Sequence, residues 1–197
     1  MSIHIISAPF ENPIHETQQT FRALLSATSR PGTVVRLPLP DAAPSPFTRS
    51  LCSIALTLFD DTTPIWLDDA LASDDVLQYL RFHTAAAIVA ERSDAAFGIM
   101  ADARDLSDFS AFSVGDATYP DRSATLIVQL PSLTGGAEVN LSGPGIEHTT
   151  PASPTGLSDG FWHWWNENAN RYPCGIDMIF TDGIAVMGLP RTTKVSF

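Results

Sequence analysis

The feature that most constrains this chain is the alternation, along most of its length, of helix-period segments with short apolar runs of strand length. Phe21, Leu24, Leu25 and Thr28 repeat at helical spacing after Asn12-Pro13, which reads as an N-cap followed by proline at the first helical position. Pro31-Gly32 stops that helix and Thr33 to Leu37 follows as a strand. Leu51, Ile54, Ala55, Leu58 and Phe59 mark a second helix, and Pro64 to Leu67 a second strand. Ser73 or Asp74 then caps a helix that turns Val76, Leu77 and Leu80 inward and ends in LRFHT. Ala86 to Val89, Ala96 to Met100 and Ala124 to Leu130 read as buried strands, with a short helix around Asp105 to Phe112.

The carboxyl third adds a strand at Ala137 to Leu141, a loop from Glu147 to Thr155 and a helix from Ser158 to Asn170. Ile176 to Thr181 and Ile184 to Leu189 flank Asp182-Gly183, a dipeptide suited to a two-residue hairpin turn because both positions tolerate positive φ. This alternation predicts a single α/β domain over residues 1–197, with a mixed β-sheet flanked by helices. With 44% apolar residues in 197, the chain can bury one sizeable core.

Charge narrows the function classes. The formal net charge is −11 and Lys194 is the only lysine. Nucleic-acid backbones and anionic membranes are therefore not expected partners, since both demand clustered cations. The opening MSIHIISAPF lacks a basic region and the longest apolar run, LCSIALTLF, is too short to span a bilayer, which makes the cytoplasm the expected compartment. There the two distant cysteines, Cys52 and Cys174, stay as thiols, with Cys52 a small core residue.

Nucleotide cradles of the GxGxxG or GxxxxGK[ST] type are absent, as are HExxH, CxxC and GxSxG. The five histidines show no metal-ligand spacing, so no metal is expected. A Schiff-base cofactor would have only Lys194 to use, so none is expected.

Six residues remain as anion-binding candidates. Arg81 and His83 end a helix that begins with Asp74-Asp75, which fits either macrodipole complementarity or a pair directed at a phosphate. Arg191, Thr192, Thr193 and Lys194 form either an edge strand with a guarding lysine or two hydroxyls and two cations around a phosphonate. If this segment is extended, Thr193, Val195 and Phe197 share one face and Thr192, Lys194 and Ser196 the other. LSGPGI places Pro144 and Gly145 where a type II turn wants them, and Gly143 and Gly145 could present backbone N–H groups nearby. Three tryptophans within four residues of FWHWWNEN cannot all fit one buried stripe, which makes Trp162 the candidate for a protein contact.

FRALLSATSRPGTVV, LRFHT, TLIVQLPSLTGG, LSGPGI, YPCGIDMIF and LPRTTKVSF, taken in this order, resemble the PhnH family of carbon-phosphorus lyase subunits. The resemblance implies a role in bacterial phosphonate catabolism, as one component of a core complex with PhnG, PhnI and PhnJ. That complex, with an ATP-binding-cassette-like protein, joins an alkylphosphonate to the ribose C1 of ATP and releases adenine. A homodimer of the isolated chain is a further possibility of the resemblance. It also implies a fold like the large domain of pyridoxal-phosphate-dependent transferases, without the cofactor. The alternative function is a stand-alone transferase holding its own triphosphate and phosphonate, with Arg81, His83, Arg191 and Lys194 as its converging cations.

Overall fold

The computed structural model describes residues 10–104 and 106–197, with backbone alone for 106–108. The stretch before Phe10 and the expected helix start at Asp105 lie outside the described residues. Helices α1 (Pro13–Ser29), α2 (Arg49–Leu58) and α3 (Asp74–Thr84) are separated by strands β1 (Val34–Arg36) and β2 (Ile65–Leu67). Asn12, Thr48 and Ser73 cap the three helices, each side-chain oxygen accepting from the backbone N–H three residues on. Strands β3 (Phe97–Met100), β4 (Thr125–Gln129), β5 (Val139–Ser142) and β6 (Thr150–Ala152) follow. Helix α4 (Phe161–Ala169) and strands β7 (Asp177–Thr181), β8 (Ala185–Leu189) and β9 (Lys194–Ser196) complete the chain.

Six strands form a mixed sheet in the order β1-β8-β7-β4-β3-β2, in which β2, β3, β4 and β7 are parallel. β8 returns antiparallel to β7, and β1 antiparallel to β8. The period-2 alternation of β4 and β7 divides the core. Ile127 and Ile179 face the layer built by Leu24, Leu51, Ile54, Val76 and Leu80 of α1 to α3. Leu126, Val128, Met178 and Phe180 face the other layer, where Phe161 and Trp165 of α4 pack.

A second sheet, β6-β5-β9, covers that other layer. It was not expected as a separate unit, because the Glu147 to Thr155 stretch reads as loop while Thr150–Ala152 pairs with β5. Ala86 to Val89, expected as a strand, is reduced to one parallel bridge between Ile88 and Ile65. In the β7-β8 hairpin, Thr181 pairs with Val186. The turn therefore moves on by one residue, to Gly183-Ile184: Asp182 lies opposite Ala185, its carboxylate accepting from the N–H groups of Ile184 and Ala185, and of the two expected turn residues only Gly183 has positive φ.

Gly188 matters to this packing because a Cβ there would lie 2.7 Å from the Ala27 carbonyl oxygen, so only glycine lets α1 rest on β8. Cys52 is fully buried beside Tyr79, as its core reading expected, and burial pushes its thiol up to about 12 against the opposing pull of the Tyr79 hydroxyl.

Candidate functional site

Arg191 follows β8 and turns back over the first residue of β7. Its Nε donates to both oxygens of Asp177, at 3.1 and 3.2 Å, while its backbone N–H donates to Asp177 Oδ1 at 2.7 Å. Nη1 donates to the carbonyls of Pro120 and Pro173, and Nη2 to Asp177 Oδ2 and the Ser123 hydroxyl. A guanidinium has five N–H groups in a fixed fork, and here every one has an internal acceptor. The side chain is 13% exposed. In this arrangement Arg191 is a clasp joining the β8 end, the β7 start and the loops at Pro120 and Pro173.

The next residues are also committed to the fold. Thr193 is buried, its N–H donating to the Pro190 carbonyl and its own carbonyl accepting from Trp165 Nε1 at 2.9 Å. The Thr192 carbonyl lies where a Cβ on Gly143 would stand 2.7 Å away. Gly143 to Ile146 forms the expected turn, with Ile146 N donating to the Gly143 carbonyl at 3.1 Å and Gly145 at φ +85°. A Cβ on Gly145 would sit 2.1 Å from the Ser29 carbonyl, so this turn packs against the carboxyl end of α1. Lys194 is exposed on β9.

β9 is an edge strand, as one of the two readings held, yet its outer edge is covered by a side chain. The Asn166 amide donates to the Val195 carbonyl and accepts from the Val195 N–H, both at 2.9 Å, so it acts as one residue of a missing strand. Asn168, two residues on, makes the same pair of bonds with Ile176. Asparagine is a poor helix-interior residue unless its amide has such work, and that is the signal in NEN the sequence reading passed over.

Arg81 and His83 end α3, as expected, with the His83 ring tilted against Tyr79 and edge-on to Phe82 at ring distances of 4.5 and 5.0 Å. α3 belongs to the layer on one face of the six-stranded sheet, whereas β9 belongs to the layer on the other. The four proposed cations therefore do not converge. Trp162 is half-buried, edge-on to Phe161 at 5.0 Å, while Trp165 is fully buried.

Two cavities lie at opposite ends of the parallel strands. One, of about 210 Å³, sits at the carboxyl ends of β3 and β4, where open α/β sheets usually bind ligands. Asp102, Arg104, Gln129 and Gly156 line it, and Arg104 pairs with Asp102 at 3.4 Å. The other, of about 200 Å³, is an apolar groove between α1 and the amino-terminal ends of β3, β4 and β7. Phe21 and Leu25 form its outer wall, Leu58, Phe97 and Ile179 its lining, and Asp177 its polar end. Among the described residues no cluster of three or more histidines, cysteines or carboxylates is placed to hold a metal, and no helix is long and apolar enough to cross a membrane.

Fold and groove together define a mixed α/β domain with a polar clasp beneath an open apolar surface. The chain belongs to the PhnH family, described as bacterial phosphonate metabolism proteins, whose family model matches residues 8–196. It is 37% identical over 191 residues to the alpha-D-ribose 1-methylphosphonate 5-triphosphate synthase subunit PhnH of Rhizobium meliloti (strain 1021), covering 97% of this chain and 96% of that relative. A putative C-P lyase subunit protein, HtxG, of Stutzerimonas stutzeri is 33% identical over 181 residues, or 91% of this chain and 85% of the relative.

Proposed function

We propose that this chain is a subunit of a multi-subunit phosphonate-processing enzyme, supporting formation of a ribose 1-phosphonate 5-triphosphate from ATP and an alkylphosphonate. Its named relatives are subunits of that synthase and of a C-P lyase. The observation that carries the subunit reading over the stand-alone transferase is the separation of the cations. A triphosphate and a phosphonate need several positive groups aimed at one volume, above all in a chain of net charge −11. Here Arg191 is fully occupied by Asp177, Ser123 and two carbonyls, and Arg81 and Lys194 lie in different layers. PhnG, PhnI and PhnJ are the partners this reading names.

The test is adenine release from ATP with methylphosphonate, measured for the chain alone and with those subunits and the ATP-binding-cassette-like protein. Release is expected only in the reconstituted mixture and is expected to stop when this chain is omitted. Release by the chain alone would overturn the proposal.

We also infer that the domain follows the layout of the large domain of pyridoxal-phosphate-dependent transferases while binding no such cofactor. Lys194 is exposed on the edge strand of the smaller sheet, whereas a Schiff-base lysine works from a desolvated pocket. Borohydride treatment with pyridoxal 5′-phosphate is expected to label Lys194 no faster than a free surface lysine. Rapid, saturable labelling at that residue would refute this reading.

A further inference from the structure

We propose that the outer face of α1 docks an amphipathic helix with acidic flanks, supplied by another subunit of the complex; this rests on the subunit reading above. Helix α1 buries Thr20, Ala23, Leu24 and Ala27. Of the four residues that mark it in the sequence, only Leu24 turns inward, and Phe21, Leu25 and Thr28 are left outside. Ile14, Phe21 and Leu25 are 87%, 47% and 53% exposed.

These residues are not scattered. Ile14, Gln18, Phe21, Leu25 and Thr28 follow one another at spacings of four, three, four and three, the 3.5-residue seam of paired helices. The seam is about 21 Å long at 1.5 Å per residue. A row of this kind on an otherwise satisfied helix marks an interaction surface, whereas isolated exposed apolar residues do not. Beneath its carboxyl half lies the apolar groove floored by Leu58, Phe97 and Ile179, which has room for one large apolar side chain from the partner.

Charge selects the partner's flanks. From Phe10 to Phe59 the chain carries three acids, Glu11, Glu16 and Asp41, and four arginines at 22, 30, 36 and 49. The other 19 of its 22 acids lie elsewhere, facing only seven of its 11 cations. Arg22 stands exposed beside Phe21 on the solvent side of the seam, and Arg36 is exposed on β1, the sheet's edge strand next to α1. Arg22 and Arg36 favour a partner helix with acidic flanks along this half of the seam, and complementarity of this kind governs registration and association rate.

The experiment uses the full chain co-expressed with its proposed partner subunits. A benzophenone amino acid replacing Leu25 is expected to crosslink to a helix of another subunit that bears Asp or Glu beside its apolar seam. Phe21→Glu with Leu25→Glu is expected to lower affinity for the partners about 100-fold, as loss of two central anchors does. Arg22→Glu, fully on the surface, is expected to lower it about tenfold and to flatten its salt dependence. Thermal unfolding of each variant reports its fold. Crosslinks to this chain itself, in the same or a second copy, or to a loop or basic segment, would overturn the docking proposal, as would full affinity of a folded double variant. Failure of the wild-type chain to join any partner would instead overturn the subunit reading on which it stands.

Discussion

Arg191→Ala is expected to destabilise the fold by about 3 kcal/mol, because it leaves a mostly buried carboxylate with only a backbone N–H and takes the guanidinium donors from the Pro120 and Pro173 carbonyls. In a chain of this length that lowers the melting temperature by about 6 to 12 °C. Asp177 is held from three directions, by the backbone N–H, Nε and Nη2 of Arg191, and its side chain is 28% exposed. Removing the guanidinium strands that charge at the mouth of the groove. Arg191→Lys should restore less than half of the loss, since a single ammonium cannot reach Asp177, Ser123, Pro120 and Pro173 together. Lys194→Ala, on an exposed strand position, should change stability by no more than about 0.5 kcal/mol. Urea unfolding of the three variants decides the matter. A wild-type midpoint for Arg191→Ala would show that the guanidinium serves a ligand and not the fold.

The contrast between these neighbours explains how far the sequence could be read. Helical and strand periods are local, so caps at Asn12 and Ser73, the Pro144-Gly145 turn and the apolar strands were legible from adjacent residues. Which cations share a volume depends on which face of the sheet each element covers, and α3 and β9 give no sign of this in their own residues. The Arg191 clasp depended on the register of one hairpin. A turn at Asp182-Gly183 would set Met178 against Met187, whereas the observed hairpin, turning one residue later, sets Met178 against Leu189 and so brings Asp177 beside the Pro190-Arg191 end as an opposite charge.

The outer face of α1 illustrates the opposite case. Phe21 and Leu25 fit a helical period and so look like core, but the sheet meets α1 through the small residues Ala23 and Ala27, with Gly188 allowing close approach at Ala27. Helical period fixes that residues share a face. It does not say whether that face is covered by this chain or by another.

Trp165→Ala is expected to cost about 4 kcal/mol, the second large effect, and it links the aromatic helix to the carboxyl-terminal strand. The indole is fully buried, stacked against Phe161 at 6.4 Å, and its Nε1–H holds the Thr193 carbonyl. Two contributions can be separated. Trp165→Phe keeps most of the volume but leaves the buried carbonyl unpaired, for an expected loss of about 1.5 kcal/mol. Trp165→Ala adds the lost burial and the cavity, which in large-to-small aromatic changes brings the total to about 3 to 5 kcal/mol. Hydrogen exchange gives the sharper readout. In Trp165→Phe the amide of Val195, bonded to Asn166, should exchange faster while amides of β4 in the central sheet keep their wild-type rates. If Val195 and β4 accelerate equally, the second sheet unfolds only with the whole domain, and the carboxyl-terminal strand is no separate unit of stability.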